Sequence, residues 1–141
     1  MNFQSLEFAL RAFLQTLPSA RPLGIPHGID IYTYPVGTEL PESELTSYDS
    51  LGKLIDKFNA EMNARGLSGI DPRLVEIRDA LAHGRVSSAS IDDNLRLLKF
   101  DKPLNGKVRI TFNEKMTEAW FAAQTKYVYE AILLVAKNMT P

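Results

Sequence analysis

Cysteine is absent from this chain of 141 residues, and only two histidines are present, His27 and His83. Without cysteine, disulfides, thiolate catalysis and thiolate metal sites are excluded. Two histidines are also too few for a histidine-rich metal site within one protomer. The glycines are scattered, and none opens a helix as a Walker-type phosphate-binding loop would. We therefore expect no metal and no cofactor.

No charge of one sign dominates, because 17 acidic and 16 basic residues leave a formal net charge of −1. Any contact with nucleic acid must therefore depend on a local basic patch. Long uncharged apolar runs are also missing. The most apolar stretch, 119–136, contains Gln124, Lys126 and Glu130, which a membrane-spanning helix rarely tolerates. Residues 1–17 have no basic leader and make a poor signal peptide. We expect a cytoplasmic protein with no membrane segment.

The length suits a single domain, 1–141, with a core that needs no covalent staples. Apolar residues at helical spacing predict four helices. These are one that ends at Pro18, a second over 49–65, a third that starts at Asp71-Pro72 and ends at Gly84, and a long final helix capped by Asn113. The predicted buried side of the third helix is Leu74, Ile77 and Leu81. The predicted buried face of the final helix is Met116, Trp120, Ala123, Tyr127, Ala131 and Leu134.

Between the first two helices, residues 18–48 hold five of the eight prolines and three of the eight glycines. A connection this long is either functional or an insertion. Within it, residues 29–36 alternate enough to predict a short strand or extended edge. Later, the apolar runs 95–100 and 107–112 flank Asn105-Gly106, which predicts a β-hairpin. The expected fold is mainly α: a helical bundle of about four helices with an added β-hairpin and a Pro/Gly-rich insertion.

The residues with the clearest chemistry are Arg78 and His83, late on the third predicted helix. An imidazole transfers protons near neutral pH, and a guanidinium stabilises the charge that develops on a phosphate. Five positions on an ideal helix place the two side chains about 140° apart, so Arg78 must reach around or act across a dimer axis. Asp79 and His83 are four apart and share a face, so Asp79 can orient the imidazole.

An Arg, a polar residue, three further positions and a His near the end of a helix resemble the motif of the HEPN superfamily, and the run Ile77–Val86, IRDALAHGRV, is similar to its usual context. The resemblance implies an α-helical up-and-down bundle, a homodimer with the motif at its interface, and metal-independent endoribonuclease activity, often in toxin–antitoxin systems. By position it implies that Arg78 and His83 are the catalytic pair. Asp79 stands at the polar position, which is commonly Asn. We therefore expect RNA as substrate and an antitoxin as a partner.

Two further arginines, Arg73 and Arg85, flank the motif and are predicted to bind substrate phosphates. The basic residues of the hairpin, Lys99, Lys102, Lys107 and Arg109, extend this basic character. For them, a role as solvated lysines that discourage edge pairing is the stronger interpretation.

Simpler interpretations stay open. Arg78 can pair with Asp79 or Glu76 on a solvated face, and His83 can merely stabilise the end of its helix. The chain can also be a non-catalytic HEPN-like module that binds a nucleotide or partner, or a plain helical structural module. Tyr32 and Tyr34 can stack a base but more often pack at a core rim, Trp120 is expected to anchor the core, and Asp92-Asp93 is expected to form a turn.

Overall fold

The structure, a computed structural model, describes residues 2–26, 28–88 and 94–139. Within these residues the elements, in chain order, are α1 (Phe3–Gln15), a 3-10 helix (Ile31–Thr33), α2 (Leu51–Ala64), α3 (Arg73–His83), β1 (Arg85–Ser87), β2 (Arg96–Phe100), β3 (Ile110–Lys115) and α4 (Glu118–Met139). Helices dominate and the strands form one small antiparallel sheet, so the predicted mainly α class is confirmed at this level.

The chain forms two compact units. The helical unit comprises Gln4–Ile70 and Ile132–Pro141, and the sheet unit comprises Met1–Phe3 and Asp71–Ala131. Helix α4 therefore contributes residues up to Ala131 to the sheet unit and its remainder to the helical unit. The whole Arg78–His83 motif lies in the sheet unit.

The core of the helical unit follows the predicted apolar stripes of α1 and α2. The rings of Phe13 and Phe58 meet edge to face, with centroids 4.9 Å apart. The Ser50 side chain accepts a hydrogen bond from the Lys53 amide and so caps α2. Gly66 follows the helix with a φ of 71°, which a residue with a Cβ rarely adopts, and this explains why α2 ends where the sequence predicts. The buried residues of α1 and α2 are Leu6, Leu10, Phe13, Leu14, Leu51, Leu54, Ile55, Phe58 and Met62.

The strand predicted over 29–36 is wrong, because this stretch contains the 3-10 helix Ile31–Thr33. The Asp30 carboxylate accepts a hydrogen bond from the Tyr32 amide at 3.0 Å, and the Asp30 carbonyl accepts one from Thr33. An Asp side chain that bonds to the nearby backbone in this way favours a turn over an extended strand.

The sheet has the order β1-β2-β3, and both pairings are antiparallel. The predicted hairpin is confirmed as β2 and β3. Its turn has positive φ at Asn105 (53°) and Gly106 (74°), as a type I′ turn requires. A bridge between Leu104 and Lys107 brackets the turn. The second strand starts at Ile110, three residues later than predicted, and β1 was not predicted.

The predicted start of the last helix at Asn113 is wrong. Asn113 lies in β3, and α4 begins at Glu118, where Thr117 Oγ1 accepts a hydrogen bond from the Trp120 amide at 3.0 Å. The buried face of α4 also differs from the prediction, because Tyr127 is 53% exposed. The face includes a polar residue that concealed it in the sequence. Its buried members are Trp120, Gln124, Val128, Ala131 and Val135.

None of the helices in the described ranges combines the length and the apolar character that a membrane span needs.

Candidate functional site

Helix α3 carries the motif, and its start matches the prediction. The Asp71 carboxylate accepts a hydrogen bond from the Arg73 amide at 3.0 Å, and Pro72 has the φ of −59° that suits a first helical turn. The helix packs against β2. Its buried residues are Leu74, Ile77 and Ala80, whereas Leu81, which was predicted to be buried, is only partly covered.

The end of α3 depends on the small size of Gly84. Its amide donates to the Ala80 carbonyl at 2.7 Å. A Cβ at this position would lie 2.3 Å from the Ala80 carbonyl oxygen and 3.0 Å from the Leu98 carbonyl oxygen. The φ of Gly84 is −77°, which any residue adopts, so the requirement for glycine here is one of space. This close approach places His83 in the last turn of α3, directly before the sheet begins.

The three predicted catalytic residues lie between the middle and the end of α3. Arg78 and Asp79 have side chains that are each 39% exposed, and Arg78 Nη1 lies 3.5 Å from Asp79 Oδ1. His83 is exposed. Among the described residues, no hydrogen bond joins Asp79 to His83. The carboxylate is therefore paired with Arg78 and does not orient the imidazole in this conformation.

The two predicted substrate-binding arginines are separated. Arg73 is ten residues before His83 on α3, a rise of about 15 Å along the helix, and it pairs with Glu114 of β3 at 3.4 Å. Arg85 follows His83 by two residues and begins β1. Its guanidinium carbon lies 5.1 Å from the centre of the Phe100 ring, in a cation–π contact. The structure thus brings Arg85, but not Arg73, to the His83 end of α3.

The sheet also carries two basic residues that the sequence analysis did not single out, Arg96 and Lys115. In the register, Ser87 faces Arg96 and Arg96 faces Lys115, while Arg85 faces Leu98 and Leu98 faces Asn113. Paired residues point to the same side of a sheet. Leu97, in the alternate position, is fully buried. We call the side away from Leu97 the outer face. Its described members are Arg85, Ser87, Arg96, Leu98, Phe100, Ile110, Asn113 and Lys115.

A diagonal hydrogen bond supports this assignment, since Arg96 Nη1 donates to Asn113 Oδ1 at 2.9 Å. On the opposite side, Glu114 accepts from Trp120 Nε1, and Trp120 is buried, so the predicted core role of this tryptophan is confirmed. Sequence reasoning could have found the outer face only through β1. With three residues, that strand is too short for its alternation to be read.

Other predicted candidates contribute less. Tyr32 is 84% exposed, and Tyr34 is partly covered. His27 and the Asp92-Asp93 pair lie outside the described residues. Within residues 2–26, 28–88 and 94–139, no three His, Asp or Glu side chains come together in a group that could hold a metal ion.

Comparisons with known proteins return no relative for this chain: no family model, no curated protein and no solved structure matches it. Any assignment of function therefore depends on the motif on α3 and the geometry around it.

Proposed function

We propose that this chain is a metal-independent endoribonuclease of the HEPN type, with Arg78 and His83 as its catalytic pair. One observation carries the proposal: an exposed histidine ends α3 beside the sheet, five residues after a half-exposed arginine, with a further arginine two residues on. This arrangement combines a proton-transfer group and phosphate-binding cations in the second half of α3 and the strand that follows it.

The reaction uses the RNA's own 2′-hydroxyl as nucleophile. The 2′-oxygen bonds to phosphorus, the bond from phosphorus to the 5′-oxygen breaks, and a proton passes from the 2′-hydroxyl to the departing oxygen. His83 serves as general base or general acid in these transfers. Arg78 stabilises the negative charge that develops on the phosphoryl oxygens. The products end in a 2′,3′-cyclic phosphate and a 5′-hydroxyl.

The proposal includes a change at Asp79. This carboxylate lies four residues before His83, within reach of its ring on an ideal helix, but is paired with Arg78. When a phosphate binds Arg78, it competes with the carboxylate for the guanidinium. Asp79 is then released to accept a hydrogen bond from His83 and orient the ring.

The resemblance to the HEPN superfamily supplies the remaining parts of the proposal. The four helices would form a bundle, and two copies would pair so that α3 of each lies near a two-fold axis. An antitoxin would be a further partner, and the cytoplasm the compartment. Cross-axis pairing would also relieve the angular separation of Arg78 and His83 on a single helix.

A cleavage assay tests this proposal. Labelled RNA is incubated with the protein in EDTA, and the product ends are analysed. We expect His83→Ala and Arg78→Ala each to lower the rate by about 100-fold or more, as the loss of an acid–base or charge-stabilising group does. Lys126→Ala, which removes an exposed cation on α4, is the matched control and should keep full activity. Cleavage that persists in both motif variants would overturn the mechanism.

The Arg78–Asp79 ion pair favours a second candidate, a non-catalytic HEPN-like module that binds a nucleotide or a partner. The Asp79 carboxylate, 3.5 Å from the Arg78 guanidinium, lowers the affinity of Arg78 for phosphate. Because Asp79 is engaged in this way, it does not serve as the acceptor that would orient His83. RNA or nucleotide binding by the wild-type chain, weakened by Arg78→Ala but accompanied by no cleavage in any buffer, would select this candidate.

A further inference from the structure

The outer face of the sheet has an unusual charge distribution. It carries Arg85, Arg96 and Lys115, and none of its described members is acidic. Arg96 and Lys115 are direct cross-strand partners, so two positive charges face each other across neighbouring strands. Like charges directly opposite each other destabilise a sheet. A bound anion would offset this repulsion. The Arg96 guanidinium is also held by Asn113, which fixes its position on the face.

The same face presents a flat stacking surface. The Arg85 guanidinium lies over the Phe100 ring at 5.1 Å from its centre. Arg85 is exposed, whereas Phe100 is partly covered, so the guanidinium is the outer layer of this stack. A guanidinium supported from below by a ring offers its other plane to a planar group, and nucleobases stack on such planes.

The spacing of these groups suits an extended chain of anions. Arg96 and Lys115 lie on adjacent strands, about 5 Å apart at their Cβ atoms. Arg85 lies diagonally from Arg96, about 7–8 Å away. A double helix presents its bases edge-on inside the duplex, where no flat surface can stack on them. Single strands expose both their phosphates and the faces of their bases.

We propose that the outer face of the sheet is a binding surface for single-stranded RNA, with one base stacked on the Arg85–Phe100 pair and phosphates held by Arg96 and Lys115. The choice of RNA as the ligand rests on the proposed function, whereas the surface itself is defined by the strand register and the side-chain contacts. Because Arg85 follows His83 by two residues, this surface begins two residues after the end of α3.

Fluorescence anisotropy with a labelled 12-nucleotide uridine RNA tests the phosphate part of this inference. His83→Ala serves as the background, so that no cleavage interferes. The triple variant Arg85→Gln, Arg96→Gln, Lys115→Gln should bind at least about 30-fold more weakly. The slope of log affinity against log salt should fall by about 1.4 units, since Arg96 and Lys115 each hold a phosphate and each phosphate contact contributes about 0.7 for single strands.

The matched control changes the same net charge elsewhere in the sheet unit. Lys102→Gln, Lys107→Gln and Lys126→Gln remove three exposed cations, two at the hairpin turn and one on α4. This triple variant should lose less than about 3-fold in affinity, because no stacking group accompanies these lysines. Equal losses in the two triple variants would overturn the inference.

A separate pair of variants tests the stacking part. Arg85→Lys keeps the charge but removes the planar group, so affinity should fall about 5-fold or more while the salt slope stays unchanged. Phe100→Leu should weaken binding by a similar factor, and thermal unfolding shows whether it remains folded. Tyr129→Leu, which removes an aromatic side chain that is 59% exposed on α4, is its control. Wild-type affinity in Arg85→Lys would contradict the stacking role.

Competition and cleavage separate the outcomes. A duplex RNA that competes as well as the single strand, or a polyglutamate peptide that does so, would overturn the assignment of the ligand. If the wild-type chain never cleaves RNA, the proposed ribonuclease function is wrong, but the binding results still test the outer face as an RNA-binding surface. If Arg78→Ala and His83→Ala abolish cleavage while the outer-face triple variant binds as tightly as the wild type, the inference fails alone. Where both hold, the triple variant should raise KM, because it weakens the binding of the RNA substrate.

Discussion

The Pro/Gly-rich segment 18–48 and the outer face of the sheet use their arginines in opposite ways. In the segment, Arg21 pairs with Glu44 at 3.0 Å and also donates to the Ser43 carbonyl, so its charge is satisfied within the helical unit. On the outer face, Arg85 contacts a ring, Arg96 an amide oxygen, and no described carboxylate is present. The first arrangement stabilises an irregular chain, and the second leaves positive charge available to a ligand.

The segment is also fastened to α1 through side chains that bond to its backbone. Arg11 donates from Nε to the Ser47 carbonyl at 3.0 Å and from Nη2 to the Asp49 carbonyl at 2.9 Å. Gln15 accepts from the Leu45 amide and donates to the Arg21 carbonyl. A chain with few regular elements needs such partners, because its backbone groups have no ladder to satisfy them. The contacts of the segment are therefore those of a folded part of the helical unit.

The largest effect on stability is expected for Arg11→Met, which keeps the aliphatic stem and removes the hydrogen bonds to Ser47, in the segment, and to Asp49, directly after it. Hydrogen bonds to charged groups contribute about 1.5–3 kcal/mol, so we expect the free energy of unfolding to fall by about 2 kcal/mol. Urea unfolding followed by circular dichroism measures it. Lys53→Met removes a cation that is 71% exposed on α2 and should change stability by less than about 0.5 kcal/mol. An Arg11→Met variant as stable as the wild type would mean that the hydrogen bonds from α1 do not stabilise the segment.

A smaller effect, visible through pH, is expected at Glu44. The hydrogen bond from Arg21 lowers the pKa of Glu44 below its ordinary value of 4.5, and the hydrogen bond from Lys57 lowers the pKa of Asp49 below 3.8. A carboxyl whose folded-state pKa is lowered stabilises the fold above its unfolded pKa, and the contribution disappears as the pH falls through the folded value.

We therefore expect Glu44→Gln to lower the urea midpoint at pH 7, and the difference from wild type to shrink as the pH falls below about 4.5. Unfolding curves between pH 7 and pH 3 measure this. Glu39→Gln removes one exposed negative charge from the same segment and controls for net charge. A gap between Glu44→Gln and wild type that stays constant over this range would contradict the role of the ion pair.

The smallest effect on stability is expected for the outer face. Arg85→Gln, Arg96→Gln and Lys115→Gln should each change the free energy of unfolding by less than about 0.5 kcal/mol. Removing one member of the Arg96–Lys115 pair also relieves a like-charge repulsion, so a slight gain is the expected direction. A loss of unfolding free energy as large as that expected for Arg11→Met would show that these cations stabilise the fold. The outer face would then use its arginines in the same way as segment 18–48.

Much of the local structure was predictable because its causes lie within a few residues. Asp71 and Pro72 start α3, Gly66 ends α2, and Asn105-Gly106 makes the hairpin turn, each through backbone conformations that these residue types favour. The positions of Arg78, Asp79 and His83 late on one helix follow from the same local signals. Their partners do not, because adjacent and i+4 pairings on a helix compete, and the preference for Arg78 over His83 at Asp79 is a matter of side-chain conformation.

The sequence-based predictions were wrong where residues distant in the chain determine the local structure. Asn113 was predicted to cap a helix, but pairing with β2 draws it into a strand. Gln124 interrupts the apolar pattern of α4, so the predicted buried face included Tyr127 instead. In the structure Gln124 is buried, and it makes the buried face of α4 continuous. Burial depends on what packs against a helix, and its own sequence does not contain that information.

The sequence by itself determined the helix-dominant class, the ends of α2, the start and end of α3, the hairpin turn and the Arg78–His83 motif, since short-range stereochemistry controls all of these. Only the tertiary structure decided that β1 joins the hairpin and that β2 comes close to Gly84, next to the Ala80 carbonyl that already limits the space there. It also gathered Arg85, Arg96, Lys115 and Phe100 onto one face. The reason is that strand register is a long-range property: residues far apart in the chain become neighbours only when hydrogen bonds between strands align them.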